Sequence, residues 1–325
     1  ASPAEIGINC VSSRRPKSGA VAAIGVVGVV ARRQFGAVGF QRCVDRLMQF
    51  GEHWLGTVEQ DPTRLRSAAQ ALAERHGGSG VKPTQLGNRF GDQSLASRQR
   101  AQLDEAGLID AAVVGGVDTL CLTTLYGFNS LGLISTQPCR PFDAARDGIS
   151  IGEAAAFALL QRPPQQLNAD AVLLLGVGES SDAYHMSSPH PEGLGARMAI
   201  QQALNMAGLP AAAIDYINLH GTATQSNDAA ESRAVTEVFG SATPCSSTKG
   251  ATGHALGAAG GLEAVICALA LQHGLLPGGV NTRQLDPTMP LNYLLQNREQ
   301  PVARVISNSF GFGGTNCSLI FGRAG

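Results

Sequence analysis

Charged side chains are scarce in this sequence: they make up 15% of its 325 residues, and the formal net charge is -1. Without a basic excess the chain carries no electrostatic footprint for nucleic acid. It also lacks any uninterrupted apolar run of about 18 residues, the length that a membrane-spanning helix needs. The segment "AVAAIGVVGVVA", from Ala20 to Ala31, is too short and too rich in glycine to be one. No secretory signal pattern opens the sequence. The seven cysteines are odd in number, scattered and without a C-x-x-C pair, which argues against a disulfide framework or a zinc site and points to a reducing, cytoplasmic setting. Short-period repeats and low-complexity segments are also missing.

What is present is an apolar, glycine-punctuated chain, 44% hydrophobic with 40 glycines, long enough for one large or duplicated α/β unit. Its charge is uneven. Residues 1–100 carry +7, and residues 101–325 carry -8. From about residue 101 the order is regular: a helical "RQRAQLDEAGL" stopping at Gly107, an apolar strand "IDAAVVGG", and a helix-like "TTLYGFNSLGLIS". "CRPFDAARDGISIGEAAAFALLQR" reads as a loop of fixed charges and two strands. Pro163 and Pro164 then mark a boundary between an N-terminal part, 1–164, and a C-terminal part, 165–325.

In the C-terminal part, "DAVLLLGVGESS" reads as a buried strand, Gly195 to Gly208 as a helix, and "IDYINLHG" as a strand ending on polar residues. Such an end is where α/β sheets bind ligands. Leu262, Val265, Ile266 and Leu269 follow helical spacing toward a C-terminal glycine, Gly274. "ARVISNSFGFGGTNCSLIFG" reads as a hairpin around a glycine-rich turn. The alternation of strands and helices predicts a largely parallel sheet.

Three polar groups could do chemistry: His220 with Thr222 and Thr224 in "HGTAT", Lys249 and His254 in "STKGATGH", and the Phe-Gly turn "GFGGTN". Lys249 is the only lysine after residue 100 and sits among small residues. A helix start close to His254 would keep its ring neutral, able to donate a hydrogen bond to a developing oxyanion.

In combination and order these segments resemble the β-ketoacyl synthase family, the condensing enzymes of fatty acid and polyketide synthesis. The resemblance rests on "GGVD", "RPFDAARDGISIGEAAA", "HGTATQSNDAAE", "SSTKGATGHALGAAGGLEA" and "NSFGFGGTN" and covers about residues 101–325. It implies a thiolase-like layered α/β fold of two similar halves with mixed five-stranded sheets. The implied activity is decarboxylative Claisen condensation of an acyl thioester with malonyl-acyl carrier protein, without metal or redox cofactor. The implied partners are the acyl carrier protein and a second subunit, in a homodimer or a heterodimer of paralogues. On the same resemblance, His220 and His254 bind the malonyl thioester carbonyl, Lys249 supports the second histidine, and Glu263 joins their network. Thr222 and Thr224 hold the phosphopantetheine arm. Phe310, Gly311 and Phe312 form the turn over the site, with Phe312 as gate to the acyl pocket and a backbone amide contributing to the oxyanion hole.

The sequence departs from that family before residue 100. The expected Thr-Ala-Cys-Ser-type turn, with its nucleophilic cysteine, falls by ungapped counting near Asn88, Arg89 and Phe90, where no cysteine stands. A glutamine replacement at Gln85 would need a gap. Cys10 and Cys43 are too distant, and Cys121, Cys139, Cys245, Cys267 and Cys317 read as small packing residues. Residues 1–100 also lack the opening strand and glycine turn. A divergent or deleted N-terminal half, a non-catalytic paralogue and an upstream change of reading frame each account for this. The competing functions are accordingly a chain-length-factor-like partner subunit and a malonyl-carrier-protein decarboxylase.

Overall fold

The computed structural model describes residues 22–32, 111–161, 163 and 166–324, all in one of the two compact units into which the chain divides. In chain order these residues form β1 (Ala22–Arg32), β2 (Ala111–Asp118), α1 (Leu122–Ser130), β3 (Glu153–Gln161), β4 (Val172–Ser181) and α2 (Leu194–Ala207). Then come β5 (Tyr216–Asn218), α3 (Gln225–Phe239), β6 (Pro244–Ser246), the single-turn α4 (Lys249–Thr252) and α5 (Ala259–His273). β7 (Leu275–Leu276), β8 (Asn292–Tyr293), β9 (Arg298–Glu299), β10 (Arg304–Phe310) and β11 (Thr315–Arg323) complete them.

Nine of these strands make one sheet in the order β2-β3-β1-β4-β11-β10-β5-β6-β8. The sheet is mixed, as the resemblance implied, and not largely parallel, as the alternation of strands and helices predicted. β10, β5, β6 and β8 run parallel to their neighbours in that order. The pairs from β2 across to β10 are antiparallel. The difference follows from connection type: α3 carries the chain over between the parallel β5 and β6, whereas the tight turn at Gly311–Gly314 sends β11 straight back along β10. That hairpin matches the sequence reading.

Two further expectations are corrected. β1 occupies the glycine-rich segment near the N-terminus, where no strand was expected; its valines and isoleucine suit a pleated strand. The two strands expected in "CRPFDAARDGISIGEAAAFALLQR" reduce to one, β3. Ile149 and Ile151 make only isolated bridges, to Ile134 and His254. The helix expected before Gly107, the arginine-rich segment after Arg32, and Asn88 to Phe90 lie outside the described residues.

Helices cover both faces of the sheet. On one face Ala196, Ile200, Ala203 and Leu204 of α2 and Ala234 and Val235 of α3 pack with Ile217, Ile306 and Ile320. On the other, Cys267, Ala268 and Leu271 of α5 pack with Val172, Leu174, Val305 and Phe321. Gly178 lets α2 approach β4 closely: a Cβ there would lie 1.8 Å from the Ala199 carbonyl oxygen. Residues 256–273 are apolar enough, by length and composition, to cross a membrane, but half of that stretch is buried inside this core. α5 ends where the spacing predicted, at Gly274 in the left-handed conformation.

Candidate active site

β5 ends two residues before His220, so the sheet itself delivers "HGT" to its edge. The turn is held by two carboxylates from the first turns of α3. Glu231 accepts the amides of His220 and Gly221, both at 2.8 Å. Asp228 accepts those of Thr222 and Ala223 at 3.0 and 3.2 Å, and its second oxygen accepts the Phe142 amide at 2.8 Å. Phe142 and Ala223 both have positive φ, 62° and 65°; such strain persists only where surroundings impose it. Burial pushes the Glu231 carboxyl up to about 7, against the amides that favour its ionised form.

Lys249 is 1% exposed. Its ammonium pairs with Glu263 of α5, donates to the His220 carbonyl oxygen at 2.6 Å, and stands 3.4 Å from His220 Nδ1. An ammonium has donors only, so Nδ1 is the acceptor and the ring proton of His220 stands on Nε2. The direct bonds of Lys249 therefore go to the first histidine; His254 feels its charge. The expected support of the second histidine is therefore through charge, not through a direct bond.

His254 follows α4, with its backbone bridged to Ile151. Its Nδ1 accepts the Leu256 amide at 3.3 Å, which again places the ring proton on Nε2. The two rings lie 5.3 Å apart between centroids and nearly perpendicular, at 83°. Burial, assisted by Lys249, pushes His254 down to about 3. Burial, then Lys249 and His254, lowers His220 well below the usual histidine range. Desolvation, rather than the helix dipole expected from sequence, keeps both rings neutral. Burial raises the Glu263 carboxyl, and Lys249 opposes that shift.

The Phe-Gly turn reaches the first of these rings. Phe310 lies 5.8 Å from the His220 ring, and Phe312 stacks on Phe128 of α1 at 5.6 Å. The Gly311 amide bonds to Thr315 O at 2.7 Å and the Gly313 amide to Met186 O at 2.9 Å. Gly314 (φ 76°) abuts Asp182, where a Cβ would come within 2.1 Å of a carboxylate oxygen. Thr222 and Thr224 share a hydroxyl contact of 3.0 Å, and Thr224 also caps α3 by accepting the Asn227 amide.

The cysteines divide. Cys139, Cys245, Cys267 and Cys317 are buried as expected, and burial pushes the Cys139 thiol up to about 12. Cys121 is exposed instead of packed, because it stands at the cap of α1, where the Thr124 hydroxyl lowers its thiol.

Residues 171–283 match the family model for the β-ketoacyl synthase C-terminal domain, and residues 94–166 match that for the N-terminal domain. The chain belongs to the β-ketoacyl synthase family. One relative of this β-ketoacyl synthase chain is the mitochondrial 3-oxoacyl-[acyl-carrier-protein] synthase of Arabidopsis thaliana, 39% identical over 65% of this chain and 50% of that protein. A chain from the solved complex of a ketosynthase with its chain length factor, from Xenorhabdus doucetiae, is 51% identical. It covers 71% of this chain and 58% of that one, with a TM-score of 0.68. A chain from a solved complex of a type II polyketide acyl carrier protein with its ketosynthase is a third likeness, 26% identical over 79% of this chain and 67% of that one, with a TM-score of 0.71. The chain spans about half the length of the first curated relatives that it matches.

Within this ketosynthase framework, sequence reasoning did not single out Asp228 and Glu231. Their signal was present in "HGTATQSNDAAE": they stand three apart on α3, on the face that looks back at the turn it follows.

Proposed function

We propose that this chain carries the decarboxylating centre of a β-ketoacyl-acyl carrier protein synthase-type acyltransferase in fatty acid or polyketide synthesis. The observation that carries the reading is the pair of neutral histidines, each with an acceptor at Nδ1 and therefore a donor at Nε2. Two such donors suit one thioester carbonyl oxygen. As the bond between the malonyl carboxylate and the α carbon breaks, its electron pair moves onto that carbon and the carbonyl oxygen. Carbon dioxide leaves, and the developing oxyanion is held by His220 and His254. Burial keeps both rings neutral, so each offers one N–H donor to the developing charge.

The enolate then attacks the carbonyl carbon of an acyl thioester, whose sulfur leaves as thiolate. Decarboxylation supplies the driving force, so the reading requires neither metal nor redox cofactor. Thr222 and Thr224, in the turn that follows His220, are assigned to the pantetheine arm, and Phe312 to closing the acyl side. The partners proposed are an acyl carrier protein and a second ketosynthase-type subunit, identical or paralogous; the solved complexes named above support both. A reducing, cytoplasmic setting is proposed from the four buried free thiols.

The test is release of carbon dioxide from malonyl-acyl carrier protein, run with intact-mass analysis after an acyl-carrier-protein thioester. Release with an acyl adduct supports condensation, and release without one supports decarboxylation alone. No release, with copurification of a cysteine-bearing paralogue, turns the reading to a chain-length-factor-like partner.

A further inference from the structure

His254 stands beside a residue in a conformation that its own side chain disfavours. Leu256 has a φ of 44°, in the left-handed region where a branched residue persists only under outside restraint. The amide of that same residue donates to His254 Nδ1 at 3.3 Å, the bond that sends the ring proton to Nε2. Relaxation of Leu256 would rotate the peptide units on either side and carry that N–H away from the ring.

The turn is gripped at two places. Upstream, the His254 amide donates to Ser150 O at 2.7 Å and the Gly152 amide donates to His254 O at 3.0 Å. Downstream, beyond Leu256, the Gly257 amide donates to Asp118 Oδ2 at 3.0 Å. Asp118 is the last residue of β2 and pairs with Ala154 of β3. Ala154 belongs to the buried cluster that also contains Ala255 and Ala258, on either side of the strained turn. Just past Asp118, the Leu120 amide donates to Glu153 Oε1 at 2.8 Å and ties that end of β2 to β3. The carboxylate is therefore mounted on the sheet, and it holds a turn more than a hundred residues further along the chain.

We propose that Asp118 is a positioning residue for His254: by holding the Gly257 amide it keeps Leu256 left-handed, the Leu256 N–H on His254 Nδ1, and the ring proton on Nε2. The inference rests on the reading of His254 as an Nε2–H donor in the proposed reaction. It assigns a role to the aspartate of "GGVD", which makes no contact with either histidine.

The experiment is a proton–nitrogen correlation spectrum of the full chain with labelled histidines, comparing Asp118→Ala and Asp118→Asn with the parent. The parent and Asp118→Asn, which keeps an acceptor oxygen, show His254 as the Nε2–H tautomer. Asp118→Ala shows mixed tautomers at His254, with His220 unchanged. An unchanged His254 signal in Asp118→Ala overturns the proposal. The second variant is Asp118→Ala/Leu256→Gly, in which glycine accepts the left-handed conformation without restraint. It regains the parent signal, and failure to do so overturns the strain argument even if Asp118→Ala alone does not fold. In carbon dioxide release, Asp118→Ala lowers kcat about tenfold to a hundredfold with little change in KM, and Asp118→Asn restores it. A parent chain that releases no carbon dioxide refutes the proposed reaction, while the spectrum still decides the role of Asp118.

Discussion

Lys249 holds His220 twice: its Nζ is 2.6 Å from the histidine's carbonyl oxygen and 3.4 Å from its Nδ1. One ammonium thus fixes both the backbone and the ring of the same residue, and its remaining hydrogen bond neutralises Glu263. The buried charge is matched on one side and used to orient a donor on the other.

Lys249→Met leaves the Glu263 carboxyl buried without its partner and is expected to cost about 3–5 kcal/mol of stability, the usual loss for breaking a buried pair. Lys249→Met/Glu263→Leu should recover most of that loss in denaturant unfolding, because both charges go together. It should not recover carbon dioxide release, because His220 stays unoriented. Recovery of both would show that Lys249 serves only stability.

His220→Ala and His254→Ala should each lower carbon dioxide release from malonyl-acyl carrier protein by about 10²–10³, the usual loss of one oxyanion donor. The double variant should be little worse than the poorer single one, because the two act on one oxygen. Unchanged rates in both single variants would remove the assignment.

The depressed histidines predict a pH signature. His254 is pushed down to about 3, so between the ordinary histidine range and that value the unfolded chain binds a proton that the folded chain refuses. Stability is therefore lost as pH falls through this window. The stability difference between the parent and His254→Gln should move against the parent by at most about 1.4 kcal/mol per pH unit below pH 6, read by unfolding at successive pH values. Carbon dioxide release should show no acid limb near pH 6.5, since neither ring is protonated there.

Gly221 has a φ of 39°, and a Cβ there would lie 2.4 Å from the Ser247 Cβ and 2.9 Å from the Phe142 ring. Gly221→Ala should destabilise the chain by about 1–3 kcal/mol and lower carbon dioxide release as well, because His220 is its neighbour. Gly313→Ala has open space around the new methyl but a φ of 78°, so it should cost about 1 kcal/mol from backbone strain alone. A larger loss in Gly313→Ala than in Gly221→Ala, by thermal unfolding, would contradict the packing described here.

Much of this molecule could be read before its structure. Apolar runs placed β2, β4, β5, α2 and α5 within a few residues, since burial periodicity is a local property of the chain. The turn chemistry of "SFGFGGTN" predicted the hairpin, because glycine tolerance for positive φ is also local. The histidines, Lys249 and Glu263 came from motif order. Sheet direction was misread, because which strands become neighbours depends on connections that no window of sequence contains. The cause of the neutrality of His254 was misread as well: a helix start can be seen in sequence, whereas burial of the ring in the tertiary structure cannot.

The sequence by itself determined the family, the strands β2, β4 and β5, the helices α2 and α5, the closing hairpin and the residue types at the site, because each is written in short, contiguous segments. Only the tertiary structure decided which ring nitrogen carries each proton, that Lys249 bonds to His220, and that Asp118 reaches the turn of His254. The contacts of Lys249 with His220 and of Asp118 with Gly257 join residues tens to more than a hundred positions apart, and such distances exist only once the sheet has brought its strands together.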